Sequence, residues 1–179
     1  MKKLIVLPGN GARNQMWGEE CVEAYGAWFD DVHMQYYSHW ESDEKNLDWQ
    51  TEIEKLRVVK DTWDDEDEVF VIAKSIGTLV ALTATAEQAI VPEKGVFFGM
   101  PLDLAAAALY QNDWTPLSGF SAPLLVFHND NDPTTSYKFT KAKLHELQPT
   151  VTLVTLASDT HDYLDFSDYA DQVKEFLGV

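Results

Sequence analysis

What most restricts the fold of this chain is an alternation. From Lys3 onward, apolar runs of strand length take turns with segments whose apolar residues recur at helical spacing. The runs read as strands over Lys3 to Leu7, Val32 to Tyr37, Glu68 to Lys74, Gly95 to Gly99, Pro123 to His128 and Val151 to Leu156. Between them come helical stripes: Trp17, Cys21, Tyr25 and Trp28; Trp49, Ile53 and Leu56; and the segment after Ser75. Later stripes run from Leu102 to Tyr110, through Tyr137, Lys141, Leu144 and Leu147, and through Phe166, Tyr169, Ala170, Val173, Phe176 and Leu177. A strand, a helix and a second strand make a right-handed crossover, which leaves the strands parallel and the helix on one face. Strict repetition predicts an α/β fold: a parallel sheet covered on both sides, a three-layer α/β/α sandwich. Ligands of such sheets bind beyond the carboxyl ends of the strands, so the loops that follow the strands are the ones to inspect.

With 179 residues, 45% of them hydrophobic, the chain can bury a full core, and its length suits a single domain over residues 1–179. No internal repeat or low-complexity linker divides it. The start "MKKLIVLPGNGAR" opens on two lysines like a secretory signal, but Pro8-Gly9 ends the apolar segment at Leu7, and it reads better as a strand. No stretch approaches the roughly 18 uninterrupted apolar residues of a bilayer span, so a soluble protein without membrane partners is expected. Cys21 is the only cysteine, which rules out an internal disulfide and a thiolate metal cluster and fits a reducing, cytoplasmic setting. The net charge of −17 repels phosphate backbones and anionic lipid, which argues against nucleic acid as a partner. The densest acidic run, "DDEDE" at Asp64 to Glu68, lacks the spacing and glycine of a calcium loop and reads as a solvated turn.

The stretch "VFVIAKSIGTLVAL" changes character at Ser75: a β-branched and aromatic run gives way at once to helical spacing. Ser75 stands between Ala73 and Gly77 where the chain has almost no room to turn. One account is that it caps the helix that follows. Three other loops also carry polar residues: "PGNGARN" after the first strand, "HNDNDPTTS" after the fifth and "ASDTHDY" after the sixth. With these loops converging on one rim, the chain resembles a compact, lidless serine hydrolase of the α/β-hydrolase superfamily. "AKSIG" resembles that superfamily's nucleophile elbow G-x-S-x-G, with Ala73 in place of the first glycine. The elbow demands small neighbours because larger side chains would collide with the adjoining strand and helix. It also sets the serine at a helix N-terminus, where free amides favour negative charge.

The superfamily orders its triad as nucleophile, acid, base, and the resemblance implies Ser75, Asp132 and His161 in those roles. His161 lies between the last strand and the last helix, where the base is expected. His128, His145, His33 and His39 fit worse, the first at a strand end, the second within a helix and the last two in or after the second strand. The acid stays open between Asp132, Asp130 in the same loop, and Asp103 in "GMPLD", because some members carry it after the preceding strand. Asp132 followed by Pro133 also reads as a plain helix start. The implied oxyanion hole pairs the Ile76 amide with that of Asn10, because "PGNG" resembles the family's H-G-x-x-G loop with Pro8 for the histidine. Gly9 and Gly11 would let the backbone approach a substrate, although Gly-Asn-Gly is also an ordinary turn. Cys21 falls in phase with Trp17, Tyr25 and Trp28, which makes it core rather than a nucleophile. Lys74 has no role legible in the sequence.

The family's sheet has eight strands; this chain supplies six, in the implied order 2-1-3-4-5-6, with no segment left over for a cap domain. The implied activity is hydrolysis of small esters or thioesters, with amides open to the same constellation, a small acyl compound as substrate and neither metal nor organic cofactor. Two readings compete with it. One is a binding protein that keeps the fold without turnover, and the other is a flavodoxin-type domain that uses "PGNGARN" for a phosphate.

Overall fold

The computed structural model describes residues 1–42, 47–105, 109–111 and 113–179. Six parallel strands form one sheet in the order β2-β1-β3-β4-β5-β6. They are β1 (Lys2–Leu7), β2 (Asp31–Met34), β3 (Glu68–Lys74), β4 (Lys94–Phe98), β5 (Leu124–Asn129) and β6 (Thr152–Leu156). The helices are α1 (Asn14–Tyr25), α2 (Trp49–Lys60), α3 (Ile76–Ala86), the short α4 (Leu102–Leu104) and α5 (Thr115–Ser118), α6 (Tyr137–Leu147) and α7 (Phe166–Leu177).

Period-two alternation divides the apolar residues between two cores. Ile5, Leu7, Val71, Ala73, Phe97 and Val126 face α2, α3, α5 and α6, whereas Leu4, Val6, Ile72, Phe98 and Phe127 face α1 and α7. This is the expected three-layer sandwich. Among the described residues, no helix is long and apolar enough to cross a membrane.

Five of the six expected strands agree with the observed ones to within one residue at each end. The exception is β2, expected to run to Tyr37 but ended at Met34. The Gln35 amide makes one last bond to β1, to the Val6 carbonyl at 3.0 Å, while the side chains turn to other groups: that of Gln35 donates to the Glu52 carboxylate at 2.6 Å, and the buried Tyr37 hydroxyl donates to the Pro8 carbonyl at 3.0 Å. The helix expected from Leu102 to Tyr110 is described only as α4, and residues 106–108 lie outside the described ones. The helix expected along Tyr137, Lys141, Leu144 and Leu147 does run from Tyr137 to Leu147, with the Ser136 hydroxyl accepting the Phe139 amide at 3.2 Å, and the rival start at Asp132-Pro133 is not used.

The register brings the carboxyl ends to one level. Leu7 pairs with Ala73, Lys74 with Phe98, and Asn129 with Leu156. The loops after β1, β3, β4, β5 and β6 therefore leave the sheet along a common rim.

Candidate active site

At the end of β3 the chain turns through Ser75, whose φ of 52° and ψ of −125° belong to a region that side chains rarely occupy. The turn is fixed from both sides: the Ser75 amide donates to the Phe98 carbonyl at 2.9 Å, and Thr78 returns its amide and hydroxyl to the Ser75 carbonyl at 2.9 and 2.7 Å. Gly77 follows because a Cβ there would stand 2.1 Å from the Leu7 carbonyl oxygen. Ser75 precedes α3 but makes no side-chain cap to it. Its hydroxyl is free for another partner, and that partner is the His161 imidazole, with Oγ 2.9 Å from Nε2.

His161 Nδ1 in turn lies 2.7 Å from Asp132 Oδ2. The Asp132 side chain is fully buried and His161 is only 10% exposed. Asp132 receives four hydrogen bonds. Oδ1 accepts the Thr134 and Thr135 amides at 2.9 and 3.2 Å, and Oδ2 accepts the Tyr163 hydroxyl at 2.9 Å together with His161. Burial works to raise the Asp132 pKa, but the bonds from His161, Thr134 and Tyr163 outweigh it and hold the carboxyl below its ordinary value. An ionised carboxylate only accepts, so Nδ1 carries the imidazole proton. Nε2 of the neutral ring is then the acceptor of the Ser75 hydroxyl. Such a row can pass a proton from the hydroxyl to the ring while the carboxylate steadies the charge that results.

The competing carboxylates are occupied elsewhere. Asp103 accepts the Thr135 hydroxyl at 2.9 Å and the Ser136 amide at 3.0 Å, which braces the loop that carries Asp132. Asp130 accepts the Asn131 side chain at 2.9 Å and the Ser158 amide at 3.3 Å, which laces that loop to the one after β6. Cys21 is wholly buried and burial pushes its thiol far up, as a core residue requires. His128 is buried within β5 and burial lowers its pKa, His33 pairs with Gln35 at 2.9 Å, and His145 is exposed on the outer side of α6.

Asn10, Ser75 and Ile76 line one cleft of about 410 Å³, whose other walls include Leu47, Trp49, Leu79, Pro101 and Leu104. A larger depression of about 670 Å³ lies between β6 and α7 beside Asp162, Asp165 and Asp168, but Ser75 does not line it. The Ile76 amide belongs to the first turn of α3, where N–H groups have no partner within the helix. Asn10 is held through its carbonyl, which accepts His39 Nε2 at 2.6 Å and Trp40 Nε1 at 2.8 Å. His39 is therefore a buried brace of the loop after β1, closer to the site than its place in the sequence suggests. Gly9 and Gly11, expected to approach a substrate, do not line the cleft. Gly9 is buried, and a Cβ on it would meet the Asn14 side chain at 2.8 Å.

Sequence reasoning also passed over Tyr163, whose φ of 52° bends the chain back so that its hydroxyl meets both Asp132 and the Asn129 amide, the latter at 3.0 Å. Burial pushes that hydroxyl up, so it stays a donor. Among the described residues, no group of three or more His, Cys, Asp or Glu side chains is arranged to hold a metal ion.

No protein-family model and no curated protein matches the sequence. Solved structures do match in shape. The Pyrococcus furiosus esterase Pf2001 superposes with a TM-score of 0.74 at 19% identity, covering 99% of this chain and 82% of the esterase. Est1E of Butyrivibrio proteoclasticus, solved with ferulic acid bound, gives 0.72 at 18% identity over 99% of this chain and 88% of that one. An alpha-beta serine hydrolase homologue from Coxiella burnetii gives 0.70 at 16% identity over 99% and 83%. At identities this low the likeness speaks for architecture, and the architecture of this chain is that of the α/β-hydrolases.

Proposed function

We propose that this chain is a serine hydrolase acting on small ester or thioester bonds, and on amides where the leaving group allows. The observation that carries the reading is the unbroken row from Ser75 Oγ to His161 Nε2 at 2.9 Å and from His161 Nδ1 to Asp132 Oδ2 at 2.7 Å. In this reading Ser75 Oγ attacks the acyl carbon as its proton passes to His161, and the ionised Asp132 stabilises the imidazolium. The tetrahedral oxyanion is held by the amides of Ile76 and Asn10. Collapse expels the alcohol or thiol, which takes the proton from His161 and leaves Ser75 acylated. Water then repeats the sequence: its oxygen bonds to the acyl carbon as His161 takes its proton, the acyl–oxygen bond to Ser75 breaks as His161 returns that proton to Oγ, and the carboxylic acid departs. Every atom and proton is accounted for without a metal or cofactor. The mostly apolar cleft supports an uncharged, hydrocarbon-rich acyl group, and a lone buried cysteine supports a cytoplasmic setting.

Labelling of the intact protein by a fluorophosphonate probe tests this. The expected adduct is on Ser75, with labelling and p-nitrophenyl ester hydrolysis both lost in Ser75→Ala while the melting transition is kept. Hydrolysis that survives in Ser75→Ala would favour a binding protein with contaminating activity over an enzyme.

A further inference from the structure

Lys74 precedes Ser75 and is buried, with 4% of its surface exposed. Strand alternation sends its side chain to the α1 face, where Nζ stands 5.8 Å from the Trp17 ring centre and donates to Asn14 Oδ1 at 2.9 Å. An ammonium withdrawn from water is costly, and an apolar side chain of similar length would fill the same space without that cost. What the charge does is visible in its partner. With Oδ1 engaged by Lys74, the Asn14 amide is turned so that Nδ2 donates to the Gly11 carbonyl at 3.0 Å, and the Asn14 backbone amide reaches the same carbonyl at 2.8 Å. The Asn14 side chain also lies against Gly9. One lysine thus orients the amide that grips the turn on both sides of Asn10.

We propose that Lys74 is a positioning residue for hydrolysis: through Asn14 it fixes the Gly9–Gly11 turn and so aims the Asn10 N–H at the oxyanion. This rests on the serine-hydrolase reading. Asn10 is also held by His39 and Trp40, so loss of Lys74 loosens the donor without removing it. Burial lowers the Lys74 pKa to about 8; Asp162 and Asp132 favour its charged form and Arg13 opposes it. Below that pH the ammonium is present, and above it the neutral amine donates more weakly.

The test uses the full chain with a p-nitrophenyl ester as probe, comparing wild type, Lys74→Met, Asn14→Ala and the double variant. Misaimed donors act in the transition state, so kcat should fall about 10- to 100-fold with KM changed less than about threefold. The double variant should be no worse than the poorer single one. Wild-type kcat should step down to a lower plateau as pH passes about 8, a step absent from Lys74→Met. If Lys74→Met does not fold, Asn14→Ala, which keeps the lysine, carries the same expectation for kcat and KM. Folded variants with wild-type kcat, or losses that multiply in the double variant, would overturn the proposal and leave Ser75 as the nucleophile. Hydrolysis retained in Ser75→Ala overturns the reading and the proposal together.

Discussion

Asp132 holds four donors on two oxygens, and that count decides what a substitution there does. In Asp132→Asn one oxygen can still serve the Thr134 and Thr135 amides, but the NH2 group then faces His161 Nδ1 and the Tyr163 hydroxyl. The imidazole answers by moving its proton to Nε2, which can no longer accept from Ser75. Turnover should fall by about 10⁴, as for the same change in a related triad. Stability should drop by only about 1 to 2 kcal/mol for one hydrogen bond spoiled. Asp103→Asn, whose carboxylate serves Leu104, Thr135 and Ser136 and neither Ser75 nor His161, should lose less than about tenfold. Kinetics and thermal melts of the two variants side by side check this, and a larger loss in Asp103→Asn would move the acid to the loop after β4. That Ser75, Asp132 and His161 would meet was legible in the sequence because each follows a strand of a kind that the sequence announces. Tyr163, Asn14 and His39 were not. Tyr163 depends on a backbone bend at positive φ, and the Lys74–Asn14 and His39–Asn10 bonds join residues 60 and 29 positions apart.

Among the elements, strands buried on both faces announce themselves as unbroken apolar runs, which is why β3 could be drawn residue for residue. The edge strand β2 is half-buried, and Tyr36 and Tyr37 beyond it extended the run in sequence while Tyr37 serves the loop after β1 in space. The junction of β3 and α3 is where element geometry bears on function, because α3 begins against the backbone of β1. Its approach depends on Gly77, where a Cβ would fall 2.1 Å from the Leu7 oxygen and 2.5 Å from the Pro8 oxygen. Both neighbours are backbone and cannot swing aside. Gly77→Ala must therefore push α3 outward at its first turn, moving Ser75 and the Ile76 amide together. The expected cost is about 3 kcal/mol or more, the upper range for overpacked sites, with kcat reduced even at temperatures where the variant stays folded. Denaturant titration and kinetics of that variant measure both. A Gly77→Ala protein as stable and active as wild type would mean that the junction has slack the distances deny.

At the scale of the whole molecule the dominant fact is a net charge of −17, from 30 acidic and 13 basic residues. A folded chain of this length has a radius of gyration of about 16 Å. The Debye length is about 30 Å at 0.01 M ionic strength and about 8 Å at 0.15 M. At low salt every surface carboxylate therefore contributes to the potential at the cleft, and at physiological salt only the nearest ones do. The cleft itself is mostly apolar, and no carboxylate is among the described residues that line it. Those residues leave discrimination by charge to the distant field, which salt removes, rather than to a local contact, which it would leave. Two p-nitrophenyl esters of equal chain length separate these cases, one with a neutral acyl chain and one ending in a carboxylate. Between 0.01 and 0.15 M salt, kcat/KM for the anionic ester should rise several-fold while that for the neutral ester stays within about twofold. Equal responses would show that the field does not reach the cleft, and a preference against the anion that persists at 0.15 M would assign selectivity to carboxylates near the rim, such as Asp162.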